Sequence, residues 1–86
     1  YKDYLSKLEK ATQVYVEKEG LYPEESTYYT INDLMAKNVI DTNIVHEKTC
    51  RGYVDVKNDN QFFSYTAYIK CGNYETKNLD EKKLDD

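Results

Sequence analysis

Only one side chain of the 86 ordinarily trades protons near neutral pH, His46. No serine or cysteine near it in sequence completes a nucleophile pattern, so His46 reads as a solvated loop residue. Asp55, Asp59, Asp80, Glu81, Asp85 and Asp86 bring the right charge for calcium. They lack the spacing of a loop that wraps a cation, and they read as solvated acidic surface. Gly20, Gly52 and Gly72 are the only glycines, too few and too scattered for a phosphate cradle. Paired carboxylates could serve glycoside chemistry, but a chain with 16 Asp and Glu produces such pairs by chance. The sequence therefore predicts no catalytic residue, no metal ligand and no cofactor. A small hydrolase is the third reading, well behind the two below.

The remaining candidates for chemistry are Cys50 and Cys71, the only cysteines. Joined, they would close a loop of about 22 residues, for which the chain-entropy estimate is roughly 3 kcal/mol. A short chain buries a thin core and gains much from such a staple. An even cysteine count without metal-ligand spacing fits an oxidising compartment. The alternative is a pair of core thiols in a cytosolic protein.

Charge narrows the partners. Twelve Lys and Arg against 16 Asp and Glu give a net charge of −4, which repels phosphate backbones, so no nucleic-acid partner is expected. Ten Tyr, two Phe and no Trp suit half-buried surfaces on which a ring packs and a hydroxyl stays wet. No apolar run approaches the ~18 residues of a membrane span. The chain opens on Tyr1 rather than Met, as expected of a processed or trimmed protein with further sequence upstream.

Three zones must position these groups. From Tyr1 to about Lys18, residues Tyr1, Tyr4, Leu5, Leu8, Ala11, Thr12, Tyr15 and Val16 recur at spacings of three and four, the stripe of an amphipathic helix. Tyr4, Leu8, Ala11 and Tyr15 are its expected packing line. Gly20 and Pro23 end it. A connecting zone runs from Leu21 to Thr49. Inside it Thr30 and Asp33 have capping-box spacing, and Ile31, Leu34 and Met35 give a short helix over residues 30–38 one apolar face. Val39 to Val45 is irregular or briefly extended, with Asp41, Thr42 and Asn43 as turn residues.

The third zone is a β-hairpin over 50–71. Gly52, Val54 and Val56 share the parity of Cys50, and Phe63, Tyr65, Ala67 and Ile69 share that of Cys71. Both cysteines thus face the apolar side. The turn lies within Asn58, Asp59, Asn60 and Gln61. Pairing Cys50 with Cys71 sets Val54 opposite Ala67 and Val56 opposite Tyr65. A slip of two residues keeps the same parity, so the register has two solutions. Residues 77–86 form a polar tail with almost nothing to bury, expected to fray.

The run CRGYVDVKNDNQFFSYTAYIKCGNYET, Cys50 to Thr76, resembles the C-terminal part of pilin-like proteins from Gram-positive bacteria. It shares their Cys-x-Gly-Tyr-Val-x-Val strand, Tyr-x-Ala-Tyr-Ile-x-Cys strand and closing Tyr-x-Thr. The order of amphipathic helix, YYTINDLMAKNVI and hairpin is similar to the soluble head of a type IV pilin or pseudopilin. That resemblance implies a single domain over 1–86 of the α+β class: a long N-terminal helix packed on a small antiparallel sheet of two to four strands. It implies a filament subunit of a type IV pilus, or of a secretion or competence pseudopilus, working by assembly and display at the cell surface. Its partners would be other pilin subunits, reached through an apolar helix upstream of Tyr1 that also anchors the subunit in the membrane before assembly. Residues 1–86 alone would then be monomeric. The other reading is a free secreted binding module, an inhibitor or adhesive domain that uses its tyrosines as a contact surface.

Overall fold

The computed structural model describes residues 2–40 and 50–84. Asp41, Thr42, Asn43 and His46 lie outside the described residues.

The amphipathic stripe becomes helix α1, Lys2–Glu19. Gly20 adopts φ +67°, and the Leu21 N–H donates to the Val16 carbonyl at 3.1 Å, which closes the helix in the left-handed turn that glycine permits. Full burial follows the four-residue ridge Tyr4, Leu8, Thr12 and Val16. Ala11 and Tyr15, expected on the same line, are half-buried on one shoulder of that ridge. A threonine can occupy the centre of a packed face because its hydroxyl donates to the Leu8 carbonyl at 2.8 Å, four residues back.

The chain then forms strand β1, Ser26–Thr30, within what the sequence reads as a connecting zone. Helix α2, Ile31–Ala36, follows directly. Its capping box is complete: the Asp33 N–H donates to Thr30 Oγ1 at 3.0 Å, and the Thr30 N–H donates to Asp33 Oδ2 at 3.2 Å. The Val39 N–H, donating to the Leu34 carbonyl at 2.8 Å, closes the C-terminal end. Ile31 and Leu34 are the buried pair of this helix.

Strands β2, Cys50–Asp59, and β3, Phe62–Cys71, make the predicted hairpin. Its register is the first of the two solutions: Cys50 pairs with Cys71, Val54 with Ala67 and Val56 with Tyr65. The turn is the two-residue pair Asn60 and Gln61, both at positive φ (54° and 71°), the backbone that lets a tight turn follow the twist of its strands. A short strand β4, Tyr74–Glu75, completes an antiparallel sheet in the order β1-β2-β3-β4. The fold is therefore α+β: a helix packed on a four-stranded antiparallel sheet, with a disulfide in its C-terminal hairpin.

Cys50 and Cys71 are bonded, with Cα atoms 4.2 Å apart. That spacing is the one antiparallel strands offer at a pair that exchanges no backbone hydrogen bonds. Two residues along, Gly52 has a packing role. A Cβ there would overlap the Tyr68 carbonyl oxygen and press on Ile31 Cδ1 at 3.2 Å. The core lies between α1, α2 and this sheet face, where Tyr4, Leu8, Ile31, Leu34, Val54, Ala67 and Ile69 meet the disulfide.

The polar tail corrects expectation. Residues Glu81–Lys83 form a 3-10 turn capped by the Asp80 carboxylate, which accepts from the Lys82 N–H at 3.0 Å, and Leu84 beyond it is buried. The tail docks on the sheet through Leu84 and a few polar groups, so a composition poor in apolar residues does not keep its described residues, up to Leu84, from packing.

Candidate functional site

β2 is central in the sheet and covered on both sides: every residue from Gly52 to Val56 is buried. Its even-numbered residues face α1. Its odd-numbered residues, Tyr53 and Asp55, face outward into an aromatic cluster roofed by the tail. The Tyr53 ring stacks on Tyr68 at 5.1 Å and meets Tyr28 edge-on at 5.8 Å. The Lys83 ammonium enters this cluster 5.1 Å from the Tyr28 centroid and 5.4 Å from that of Tyr53, and donates to Asp55 Oδ1 at 3.0 Å. Ring faces and a carboxylate together stabilise the cation. The Asp80 N–H donates to the Tyr53 hydroxyl at 2.9 Å. A second lysine, Lys70 of β3, ties the tail to the sheet through Glu81 at 2.6 Å.

The electrostatics of this cluster are those of a latch. Burial raises the Tyr53 pKa, against a smaller opposing effect of the Asp80 N–H bond. Burial alone would lower Lys83, but the hydrogen bond and charge of Asp55 prevail, and its pKa ends above the ordinary lysine value. A lysine held more firmly protonated is a poor nucleophile and a poor base. The cluster fastens the tail to the outer face of the sheet. Among the described residues, no three His, Cys, Asp or Glu side chains gather closely enough to hold a metal ion, and no helix is long and apolar enough to cross a membrane. The disulfide fits an oxidising compartment outside the cytoplasm.

The exposed side of α1 offers a different arrangement. The helix is polarised across its width. One flank turns Glu9 and Glu17 toward β3, where Glu9 accepts the Ala67 N–H at 2.9 Å and so covers a donor that the two-residue β4, paired only with Lys70 and Cys71, does not reach. The other flank, with the end of α2, lines a groove of about 570 Å³. Lys7, Lys10, Lys18 and Lys37 form its rim and Glu19 is its one acid. Its floor is apolar, made by Ala11, Val14, Tyr15 and Val39, and Val14 is 54% exposed in mid-helix. Tyr15 is held in the floor by an edge-to-face contact with Tyr29 of β1, centroids 5.8 Å apart.

The sequence-predicted residues thus separate. Cys50 and Cys71 join beneath α1 together with Tyr4 and Leu8, whereas Ala11 and Tyr15 belong as much to the groove as to the core. Sequence reasoning missed the groove because its rim draws on two helices whose relative placement no periodicity encodes. The one available signal is the i, i+3, i+11 run Lys7, Lys10 and Lys18, interrupted by Val14 where an all-polar face would be expected. At the hairpin tip, Phe62 is 80% exposed. Nearby, Asn58 Nδ2 donates to the carbonyls of Pro23 and Glu24, both at 3.1 Å, which fixes the loop after α1 against the hairpin.

No protein-family model, curated protein or solved structure matches this chain.

Proposed function

We propose that this chain is the soluble head of a filament subunit of a type IV pilus, or of a related secretion or competence pseudopilus, and that it works by assembly and surface display. One observation carries the reading: an 18-residue helix that opens the chain, α1, is packed along one ridge onto an antiparallel sheet closed by a C-terminal disulfide. The resemblance of Cys50 to Thr76 to pilin-like hairpins supports it as well. In this reading the subunit reaches its neighbours mainly through an apolar helix upstream of Tyr1, continuous with α1, which holds it in the membrane before assembly. The head carries no catalytic step and no cofactor, and its charge keeps it off nucleic acid.

The coding sequence upstream of Tyr1 tests this directly. An apolar stretch of about twenty residues behind a short basic leader is expected. A cleaved secretory signal there would replace this function with the second reading, a free secreted binding module. Phe62 favours that alternative, since a large apolar side chain 80% exposed at the start of β3, just after the two-residue turn, suits an anchor for a partner's pocket.

A further inference from the structure

The lysine-rimmed groove on α1 has a counterpart on the same molecule. We infer that it receives the Leu21–Glu25 loop of a second copy of this chain, in a head-to-tail contact that repeats from subunit to subunit. The inference rests on the filament reading and names the contact between soluble heads within it, weak enough that the isolated chain is monomeric at micromolar concentration.

The charges are complementary. The groove gathers four of the chain's 12 Lys and Arg and only one of its 16 Asp and Glu, a local reversal of the net charge. None of the four lysines forms an ion pair among the described residues. Glu24 and Glu25, on the loop, form none either. The apolar parts match too. Leu21 and Tyr22 are 40% and 47% exposed, separated from those two glutamates by Pro23 alone, so the loop presents two large apolar side chains and, after the proline, two carboxylates. The groove presents an apolar floor with ammonium groups around it. Of the other exposed apolar residues beside acids, Tyr74 adjoins Glu75, which Lys70 already engages at 3.7 Å. Phe62 pairs across the strand with a single acid, Asp59.

The loop is also built to dock. Asn58 holds the Pro23 and Glu24 carbonyls through its amide and the Glu25 carbonyl through its backbone N–H at 2.8 Å, and Tyr22 leans on Phe63 with centroids 4.6 Å apart. A loop already held in place loses little freedom on binding. Groove and loop are different surfaces, so the contact is heterologous: a copy that fills its neighbour's groove keeps its own groove open, and the association continues as an open chain unless its rotation closes a ring.

The test uses the whole 86-residue chain in low salt, followed by sedimentation and by amide chemical shifts across concentration. Self-association with a dissociation constant on the order of 1 mM is expected, with shifts confined to the groove and to residues 21–25, weakening as salt screens the lysines. The variant Lys10→Glu/Lys37→Glu and the variant Glu24→Lys/Glu25→Lys should each lose it by about tenfold or more, and an equimolar mixture of the two should recover it. Both lie on exposed surface, and unchanged far-UV spectra verify their folding. A chain that stays monomeric to several millimolar, or a charge-swapped mixture that fails to recover, overturns the inference. So does a groove that binds an unrelated Glu-rich peptide more tightly than a peptide of residues 20–26, because its occupant is then foreign. An apolar helix encoded upstream together with a non-associating head would remove this contact and leave the filament reading standing.

Discussion

The two faces of strand β2 are covered by opposite means. Val54 and Val56 lie under a helix, in an apolar layer closed by a disulfide, while Tyr53 and Asp55 lie under a short polar tail that holds them with one ammonium, one backbone N–H and ring faces. Both faces are buried, yet their energetics differ in kind. The inner face gains from area removed from water, which grows with every methylene. The outer face gains from a few directed contacts, each of which must first offset the desolvation of its own polar atoms. A single strand can therefore be essential on one side and adjustable on the other.

That contrast is sharpest at Leu8. It is fully buried on α1, and Leu8→Ala should destabilise the domain by about 3 to 5 kcal/mol, whereas Lys10→Ala on the exposed flank should stay within about 0.5 kcal/mol. Matching urea midpoints for the two variants would reverse the facing of the helix. Next comes the staple: Cys50→Ala should cost about 3 kcal/mol, set by the loop it opens, and thiol titration of the unfolded, unreduced protein should find no free thiol.

The outer face should yield smaller numbers. Lys83→Met keeps the stem over the tyrosine rings but removes the charge. It leaves Asp55 buried without its partner, and a loss of about 1 to 3 kcal/mol is expected. Tyr53→Phe removes only the acceptor of the Asp80 N–H and should cost about 1 kcal/mol, read as earlier proteolysis of the tail. If these two changes cost as much as Leu8→Ala, the outer face is part of the main core and the contrast fails.

Alkali should act on both faces. Burial raises the pKa of Tyr4 and, together with the charge of Tyr15, that of Tyr29; Tyr53 and Tyr65 are raised as well. The folded state then holds protons that the unfolded chain releases from about pH 10 upward. Stability is fully present below that pH and falls as pH rises through the raised values. Lys83 shifts in the same direction, so the tail should loosen in the same range. The smallest effect is expected at Tyr65, whose hydroxyl is buried with no hydrogen-bond partner among the described residues. Tyr65→Phe should be neutral or slightly stabilising.

The hairpin was legible because two independent signals converge on it, the alternation of apolar residues and the shared parity of Cys50 and Cys71. The structure selects between the two registers that this parity allows, and the two-residue turn at Asn60 and Gln61 is what fixes the choice. α1 was legible as a stripe, but its buried ridge runs through Thr12 and Val16, because a threonine that bonds back to its own helix behaves as an apolar residue. β1 was hidden by its brevity: in STYYT only Thr27 and Tyr29 face the helix side, too few to establish a period. The tail was hidden for another reason. Its docking depends on a Tyr53 hydroxyl 27 residues away and an Asp55 carboxylate 28 residues away, and no local pattern records partners at that distance. The groove depends in the same way on how α1 and α2 come together.

Each strand of the sheet pairs only with strands next to it in chain order, and this sets the route by which the chain can acquire its shape. Such a meander asks for short searches, so folding should be quick for a protein with this much β structure. The hairpin can close by itself on the scale of microseconds, long before any thiol is oxidised. The two sulfurs would then be brought together by a register already chosen, and oxidation would seal an arrangement that the strands had reached unaided. A reduced chain should therefore form the same sheet, less durably, with Cys50 and Cys71 already side by side.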